Sequence, residues 1–325
     1  SDIMQGVTLE VMGEGHSMGP WNEAMKKQRL EEQSDIRYDI AWTTLGEYLQ
    51  HLEDRGVSTN VASFVGASSV RVHEMGYADR PASAAELERM KALVRQAMRE
   101  GAIGLSSALV YVPGNFASTE ELVELARAAA EFDGLYTSHM RNEGNTIFDA
   151  LDEFITIVRE SGIRGEVYHL KVSGKQNWNK LDEVIRRIEA ARAEGLAVTA
   201  DMYTYTAGAT GLDAAMPPWV QEGGHEAWVE RLRDPEIRAR VLEEIRQPGD
   251  GWENLYHAAG DPDRLIFLGF RNDALKPLTG MTLAEVAARR GTSPGDTIID
   301  LVIEDDSRVA TAYFLMSEEN IAKKI

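Results

Sequence analysis

Residues 135–171 read LYTSHMRNEGNTIFDALDEFITIVRESGIRGEVYHLK. The stretch holds two short strand-like runs, each with a histidine, on either side of one amphipathic helix. Thr137, His139 and Arg141 share a face by the two-residue period of a strand, and Val167, His169 and Lys171 do the same. Between them, from Thr146 to Glu160, Ile147, Leu151, Phe154, Ile155 and Val158 have the spacing of a helix packed on a sheet. The unit is therefore strand-helix-strand, with one imidazole near each strand end. Parallel neighbouring strands bring two such imidazoles close enough to share a metal at roughly 2 Å per ligand. Either histidine alone is better read as a hydrogen-bonded core residue, but the pair at equivalent places in consecutive units reverses that preference. His139, Arg141, His169 and Lys171 are expensive to bury without partners, so their clustering at strand ends points to a site.

The same rhythm extends on both sides. Asn60 to Gly66 reads as a strand, a helix from Ala84 to Glu100 has Ser83 as its N-cap and stops at Gly101, and Ala102 to Leu109 is a strand. Ser118 to Glu121 is a capping box opening a helix that runs to Asp133, Trp178 to Glu194 is a helix, and Ala197 to Tyr203 is a strand. Strand starts recur about every 31 to 33 residues, and such alternation indicates a parallel sheet. A closed (β/α) barrel explains six strands in a row more simply than an open sheet does. Upstream, Gly6 to Gly13 is β-rich and ends in the loop GEGHSMG. That loop misses the dinucleotide-binding spacing by one residue and no P-loop lysine follows it. Met18 to Asp39 is polar and irregular, and Thr43 to Arg55 reads as a helix. The period breaks after Tyr205, where residues 206–325 offer helices at about 225–244, 282–290 and 294–304 and a strand at 264–270. The expected architecture is α/β: a TIM-type (β/α) barrel over residues 1–205, with residues 206–325 as a large helical insertion forming part of its mouth or a lid, or alternatively a separate helical domain.

The chain has 325 residues, 43% of them apolar and 27% charged, which is the balance of a globular protein with a large core. A net charge of -19 argues against nucleic acid and anionic membrane surfaces as partners. There is no cysteine, no run of 18 apolar residues and no signal-peptide pattern, so disulfides and thiolate chemistry are excluded and the cytoplasm is the default expectation. Nothing in the composition speaks against a homo-oligomer.

Five stretches, GVTLEVMGEG, GLSSALVYVPGNFASTEEL, YTSHMRNEG, HLKVSGKQNW and DMYTYTAGATGLDAAMPPWVQEGG, together resemble the N-acyl-D-amino-acid deacylases (D-aminoacylases) of the amidohydrolase superfamily. The resemblance covers nearly the whole chain and implies zinc-dependent hydrolysis, with one or two ions, of the amide bond of a small N-acyl-D-amino acid. It also implies a role for each matched residue. His139 and His169 match metal ligands at the ends of barrel strands 5 and 6, and Glu14 stands where many members have a cysteine ligand and a subgroup has glutamate. Tyr111 and Lys171 look like the groups that hold the substrate carboxylate. Tyr203 matches a tyrosine contacting the scissile carbonyl, and Thr210 falls near a further carboxylate contact. The family's His-x-His motif and its catalytic Asp have no counterpart here, so the resemblance implies a fragment supplying strands 2 to 7 that is inactive alone.

The residues support that chemistry independently. Zinc takes N and O ligands, keeps a position open for water and lowers the pKa of that water towards neutrality. Glu14, His139 and His169 are such a three-ligand set, whereas no residue is an obvious proton shuttle, Asp201 being the nearest by position. His16 has a smaller claim on the site, and His51, His73, His225 and His257 read as surface residues. Arg141 with Glu143 is expected to orient His139, and Arg271 to belong to the insertion. Two other functions compete. One is cyclic-amide hydrolysis of the hydantoinase or dihydroorotase type, although AIGLSSAL lacks the lysine that those enzymes carry on strand 4. The other is binding of a metal or a small carboxylate without turnover.

Overall fold

The computed structural model describes residues 2–33 and 36–325. Strand β1 (Leu9–Met12) pairs in parallel with β2 (Asn60–Ser63). One residue further on, β3 (Val65–Gly66) opens a second run of parallel neighbours in sequence order: β4 (Gly104–Ala108), β5 (Leu135–His139), β6 (Arg164–Val167) and β7 (Val198–Ala200). Helices Ala67–Met75 and Ala84–Arg99 separate β3 from β4, and Thr119–Ala130, Ile147–Ser161 and Leu181–Ala193 fill the next three crossovers. The expected rhythm is therefore present as a mixed α/β fold with a parallel sheet.

The crossover helices form where the apolar spacing requires. Ile147, Leu151, Phe154, Ile155 and Val158 are all buried, joined by Ala150 and Ile157, and Phe154 stacks on Tyr136 of β5 at 5.7 Å. Strand β4 is buried along its whole length, and its Ser107 bonds Ser138 at 2.9 Å and the Tyr136 hydroxyl at 2.7 Å, so these interior hydroxyls are satisfied. A Cβ on Gly104 would lie 1.9 Å from the Leu135 carbonyl oxygen, so any side chain there pushes β4 off β5. Gly104→Ala is expected to destabilise the protein by at least about 1–3 kcal/mol, as overpacking does, read as a lowered denaturant midpoint.

Some local expectations change. Ser118 accepts from the Glu121 amide as an N-cap, but the Glu121 carboxylate does not complete a capping box. It turns inward to the buried Arg71, whose Nη1 lies 2.8 and 2.6 Å from its two oxygens. The stretch 18–39, expected to be irregular, contains helix Glu23–Glu31 capped by Asn22; it buries only Met25, so it carries no apolar period.

Beyond β7 a second apolar core runs from Leu212 to Met316, distinct from the one that runs from Trp21 to Val198. The region is not simply helical. Strands β8 (Ala207–Gly211), β9 (Leu265–Gly269) and β10 (Ala310–Phe314) form an antiparallel sheet with β10 in the centre. Only β9 is foreseen, because AGATG and ATAYF are short and rich in small residues that give little apolar alternation. The helix expected over 225–244 is two, His225–Arg233 and Pro235–Ile245, divided at Asp234, whose carboxylate accepts from the amides of Glu236 and Ile237. No helix is long and apolar enough to cross a membrane among the described residues.

Candidate metal centre

Glu14 reaches the site because glycines flank it. Gly13 and Gly15 have φ of 103° and 63°, and a Cβ on either would come within 2.6 Å of Phe64 O or the Ala108 Cβ. The loop therefore lies close over the ends of β3 and β4, with the Gly15 amide donating to Ser106 Oγ at 3.1 Å. His139 is the last residue of β5 and is buried. His169 does not stand on a strand, because β6 ends at Val167 and the backbone turns at His169 with φ 37°. The cause is Asp201: its carboxylate accepts the His169 amide and its carbonyl accepts the Leu170 amide at 2.8 Å. Asp201 thereby has a structural task, and Lys171 owes its placement to the turn rather than to strand alternation.

The three side chains converge. Glu14 Oε1 lies 3.1 Å from His139 Nδ1 and 3.2 Å from His169 Nε2, the two rings are 4.5 Å apart between centroids, and one ligand atom from each residue lies within 4.8 Å of the others. Such a cluster of one carboxylate and two imidazoles fits a divalent metal of the zinc type. The other nitrogen of each ring faces a second carboxylate: Glu143 Oε2 is 3.3 Å from His139 Nε2, and Glu143 Oε1 is 3.4 Å from His169 Nδ1. Glu143 is buried and also pairs with Lys171 at 2.7 Å. One carboxylate thus orients both imidazoles, as outer partners of metal ligands do. Arg141, expected to pair with Glu143, instead bonds Glu153 and the carbonyls of Asn115 and Ala117 at 2.7–2.9 Å.

The electrostatics follow from these contacts. Burial raises the carboxyl of Glu14, but hydrogen bonds from both imidazoles hold it well below the usual carboxylate range. Glu143 is likewise held low against burial by the charges of Lys171 and His139. Burial lowers His139. Burial and the Lys171 charge also pull His169 down, yet hydrogen bonds to Glu14 and Glu143 prevail and lift it to about 9. Behind Glu143, the buried Glu253 accepts the Glu143 amide at 2.7 Å, and burial together with the Glu143 charge raises it to about 7. Between pH 4.5 and 7 the unfolded chain has therefore released a proton that the folded protein keeps on Glu253, so this group makes stability fall as pH rises through that window. Glu253→Gln is expected to remove that fall, a gain on the order of 3 kcal/mol at pH 8 and little at pH 4, seen by comparing melting temperatures of the two proteins across the range.

A cavity of about 850 Å³ opens on the cluster, lined by Glu14, His139, His169, Lys171, Tyr111, Tyr203 and Thr210 among others. All seven residues singled out from the sequence therefore meet in one place. The Tyr111 ring stands edge-on to His139 at 5.3 Å, the Tyr203 ring lies 6.2 Å from His169, and Thr210 sits on β8. His16 also lines the cavity, lowered to about 3 by burial and the charges of Arg29 and Arg308. His225, expected to be a surface residue without a partner, bonds Asp306 at 3.0 Å and lines the cavity, as does Arg271. Sequence reasoning misses Arg308 and Asp213. They sit on the cavity wall in the segment where the regular period has ended, and no motif marks them.

Fold and site define a class: an α/β protein with a metal-type ligand set gathered where its parallel strands end. Its curated relatives are N-acyl-D-amino-acid deacylases. The chain is 36% identical over 212 residues to a D-aminoacylase of Alcaligenes xylosoxydans xylosoxydans, a match covering 64% of this chain and 43% of that protein. It is 34% identical over 211 residues to the N-acyl-D-glutamate deacylase of the same organism, covering 63% and 42%. Among solved structures, a D-aminoacylase with a binuclear metal centre superposes with a TM-score of 0.75 at 30% identity, covering 99% of this chain and 57% of that one. The N-acyl-D-glutamate deacylase of Bordetella bronchiseptica, complexed with zinc and a phosphonate mimic of the tetrahedral intermediate, gives 0.75 at 25% identity with the same coverage. This chain spans less than half the length of these curated relatives. No family model matches it.

Proposed function

We propose that the cavity serves metal-dependent hydrolysis of the amide bond of N-acyl-D-amino acids, on a partial (β/α) barrel over residues 1–205 with residues 206–325 forming the wall or lid of its mouth. The observation that carries this reading is the convergence of Glu14, His139 and His169 on one point of a cavity large enough for such a substrate. The deacylase relatives support the substrate class. Glu14, His139 and His169 would hold zinc, as one or two ions, which supplies Lewis acidity to the amide carbonyl and lowers the pKa of a water beside it. Glu143 keeps both imidazoles oriented through their outer nitrogens. Burial raises the Tyr203 phenol, so it stays protonated and can donate to the oxygen that gains charge as the amide is attacked. Tyr111, Lys171 and Thr210 line the side of the cavity where the substrate carboxylate would lie.

A second reading, binding of zinc and substrate without turnover, is favoured by one observation. The cavity carboxylates Glu14, Glu32, Glu143, Asp213 and Asp306 all have an imidazole or cationic partner, which leaves no free one as proton shuttle among the described residues that line it. The zinc-loaded protein should be assayed on N-acetyl-D- and N-acetyl-L-amino acids, with calorimetric binding in parallel. Release of the D-amino acid above a metal-free control supports hydrolysis, and zinc-dependent binding without release supports the second reading. Absence of zinc binding overturns both.

A further inference from the structure

Four lysine and arginine side chains line the cavity among the described residues: Arg29, Lys171, Arg271 and Arg308. Arg29 pairs with Glu32 at 3.3 Å, and Arg271 donates to the carbonyls of Glu31 and Asp306. Lys171 donates to Glu143 at 2.7 Å and to His169 O at 3.1 Å and lies 2.7 Å from His169 Nδ1, with only 8% of its side chain exposed. Its ammonium is therefore taken up in balancing Glu143. Arg308 differs. Its contacts with Asp213 Oδ2 at 2.9 Å and Thr210 Oγ1 at 3.3 Å both run from Nη2, and 54% of the side chain is exposed. A guanidinium has five N–H donors in a planar fork, so Nε and Nη1 retain donors for a planar anion.

We infer that the guanidinium of Arg308, braced by Asp213 and the Tyr111 ring, is the group that holds the substrate carboxylate in this cavity. The inference rests on the N-acyl-D-amino acid reading above. Its geometry runs through Tyr111: the Arg308 guanidinium carbon lies 5.0 Å from the Tyr111 ring, which stands 5.3 Å from the His139 ring. The carboxylate and acyl carbons of an N-acyl amino acid are three bonds apart, less than about 4 Å, so one small molecule can face both the ligand cluster and the arginine. Asp213 is 7% exposed and offsets one charge, so what remains on Arg308 is a directional pair of donors rather than a strong field. The backbone beside Arg308 is also strained, with φ of 55° at the β-branched Val309. Left-handed conformations of this kind concentrate where a side chain has to be presented to a ligand.

The test is calorimetric binding of N-acetyl-D-leucine, N-acetyl-D-leucinamide and N-acetyl-D-glutamate to the zinc-loaded wild type and to the double variant Arg308→Gln/Asp213→Asn, which removes both charges and leaves neither unpaired. The double variant is expected to bind N-acetyl-D-leucine about 10- to 100-fold more weakly, the range of a charge-assisted hydrogen bond, with the amide unchanged. That result assigns the α-carboxylate to Arg308. A loss confined to the extra affinity for N-acetyl-D-glutamate, with N-acetyl-D-leucine bound as before, overturns the inference, because the α-carboxylate is then held elsewhere. Should the double variant not fold, Arg308→Lys keeps the ion pair with Asp213 and is expected to show the same selective loss, because an ammonium lacks the fork. Unchanged preference for carboxylates over the amide in a folded variant overturns the inference alone. If the wild type binds none of the three compounds, the inference falls together with the functional reading.

Discussion

His139→Ala is expected to abolish high-affinity zinc binding, lowering it by more than about 100-fold, since loss of even an outer partner of a metal ligand lowers affinity by roughly 10- to 100-fold. The argument is geometric. Three ligand atoms lie within 4.8 Å of one another, and removing one leaves a bidentate site open to solvent on the Glu14 side. Glu14→Ala and His169→Ala should behave alike. His51→Ala, on a histidine packed at a tilt against Trp42 with ring centroids 4.9 Å apart, should leave zinc affinity unchanged. Titration with a competing chromophoric chelator reads the constants directly. Equal affinity in wild type and His139→Ala would mean that the cluster is not a metal centre.

Arg71→Met should lower stability by about 3–5 kcal/mol, the loss when one partner of a buried ion pair is removed. Arg71 is 1% exposed and Glu121 5%, and the arginine also donates to the carbonyls of Ala78 and Arg80. The variant strands the Glu121 carboxylate in the core and takes a donor from the Ala78 and Arg80 carbonyls at its edge. Arg71→Met/Glu121→Leu should recover most of the loss, because two apolar side chains can replace a buried pair with little penalty. Urea denaturation of the three proteins decides it, and a single variant as stable as wild type would show that Glu121 is solvated. Zinc affinity should not follow these changes, since neither residue lines the cavity.

The parallel unit and its histidines are legible in the sequence because periodicity records burial: the face of Ile147 to Val158 and the glycine stops are local signals. His139 keeps its strand. His169 leaves its strand because a carboxylate 32 residues later takes its amide, and no local pattern encodes that hydrogen bond. The same holds for Glu143. Its nearest charged neighbour in sequence is Arg141, but folding gives it Lys171 and gives Arg141 to Glu153. The antiparallel sheet β8-β10-β9 escapes because β8 and β10 are built largely of Ala, Gly and Thr, and their pairing joins segments about 100 residues apart. The three residues that converge are thus readable in the sequence, whereas the partners that set their orientation and charge are not.

The centre also ties together parts of the chain that are unequally held. Strand β1 pairs with β2 alone, and its Leu9 and Val11 are about half exposed, whereas β5 is flanked on both sides and ends on a buried imidazole. Segments with few apolar contacts open locally long before the whole protein unfolds. Glu14 follows β1 by two residues, so opening of this segment separates the carboxylate from its imidazoles and closing restores the set. A zinc ion bound by all three would act as a latch on the N-terminal segment, and mass action would then slow amide hydrogen exchange over Leu9–Met12 and the GEG loop far more than over β5. Occupancy of the centre could in this way be read from exchange rates at a strand that does not itself touch the metal.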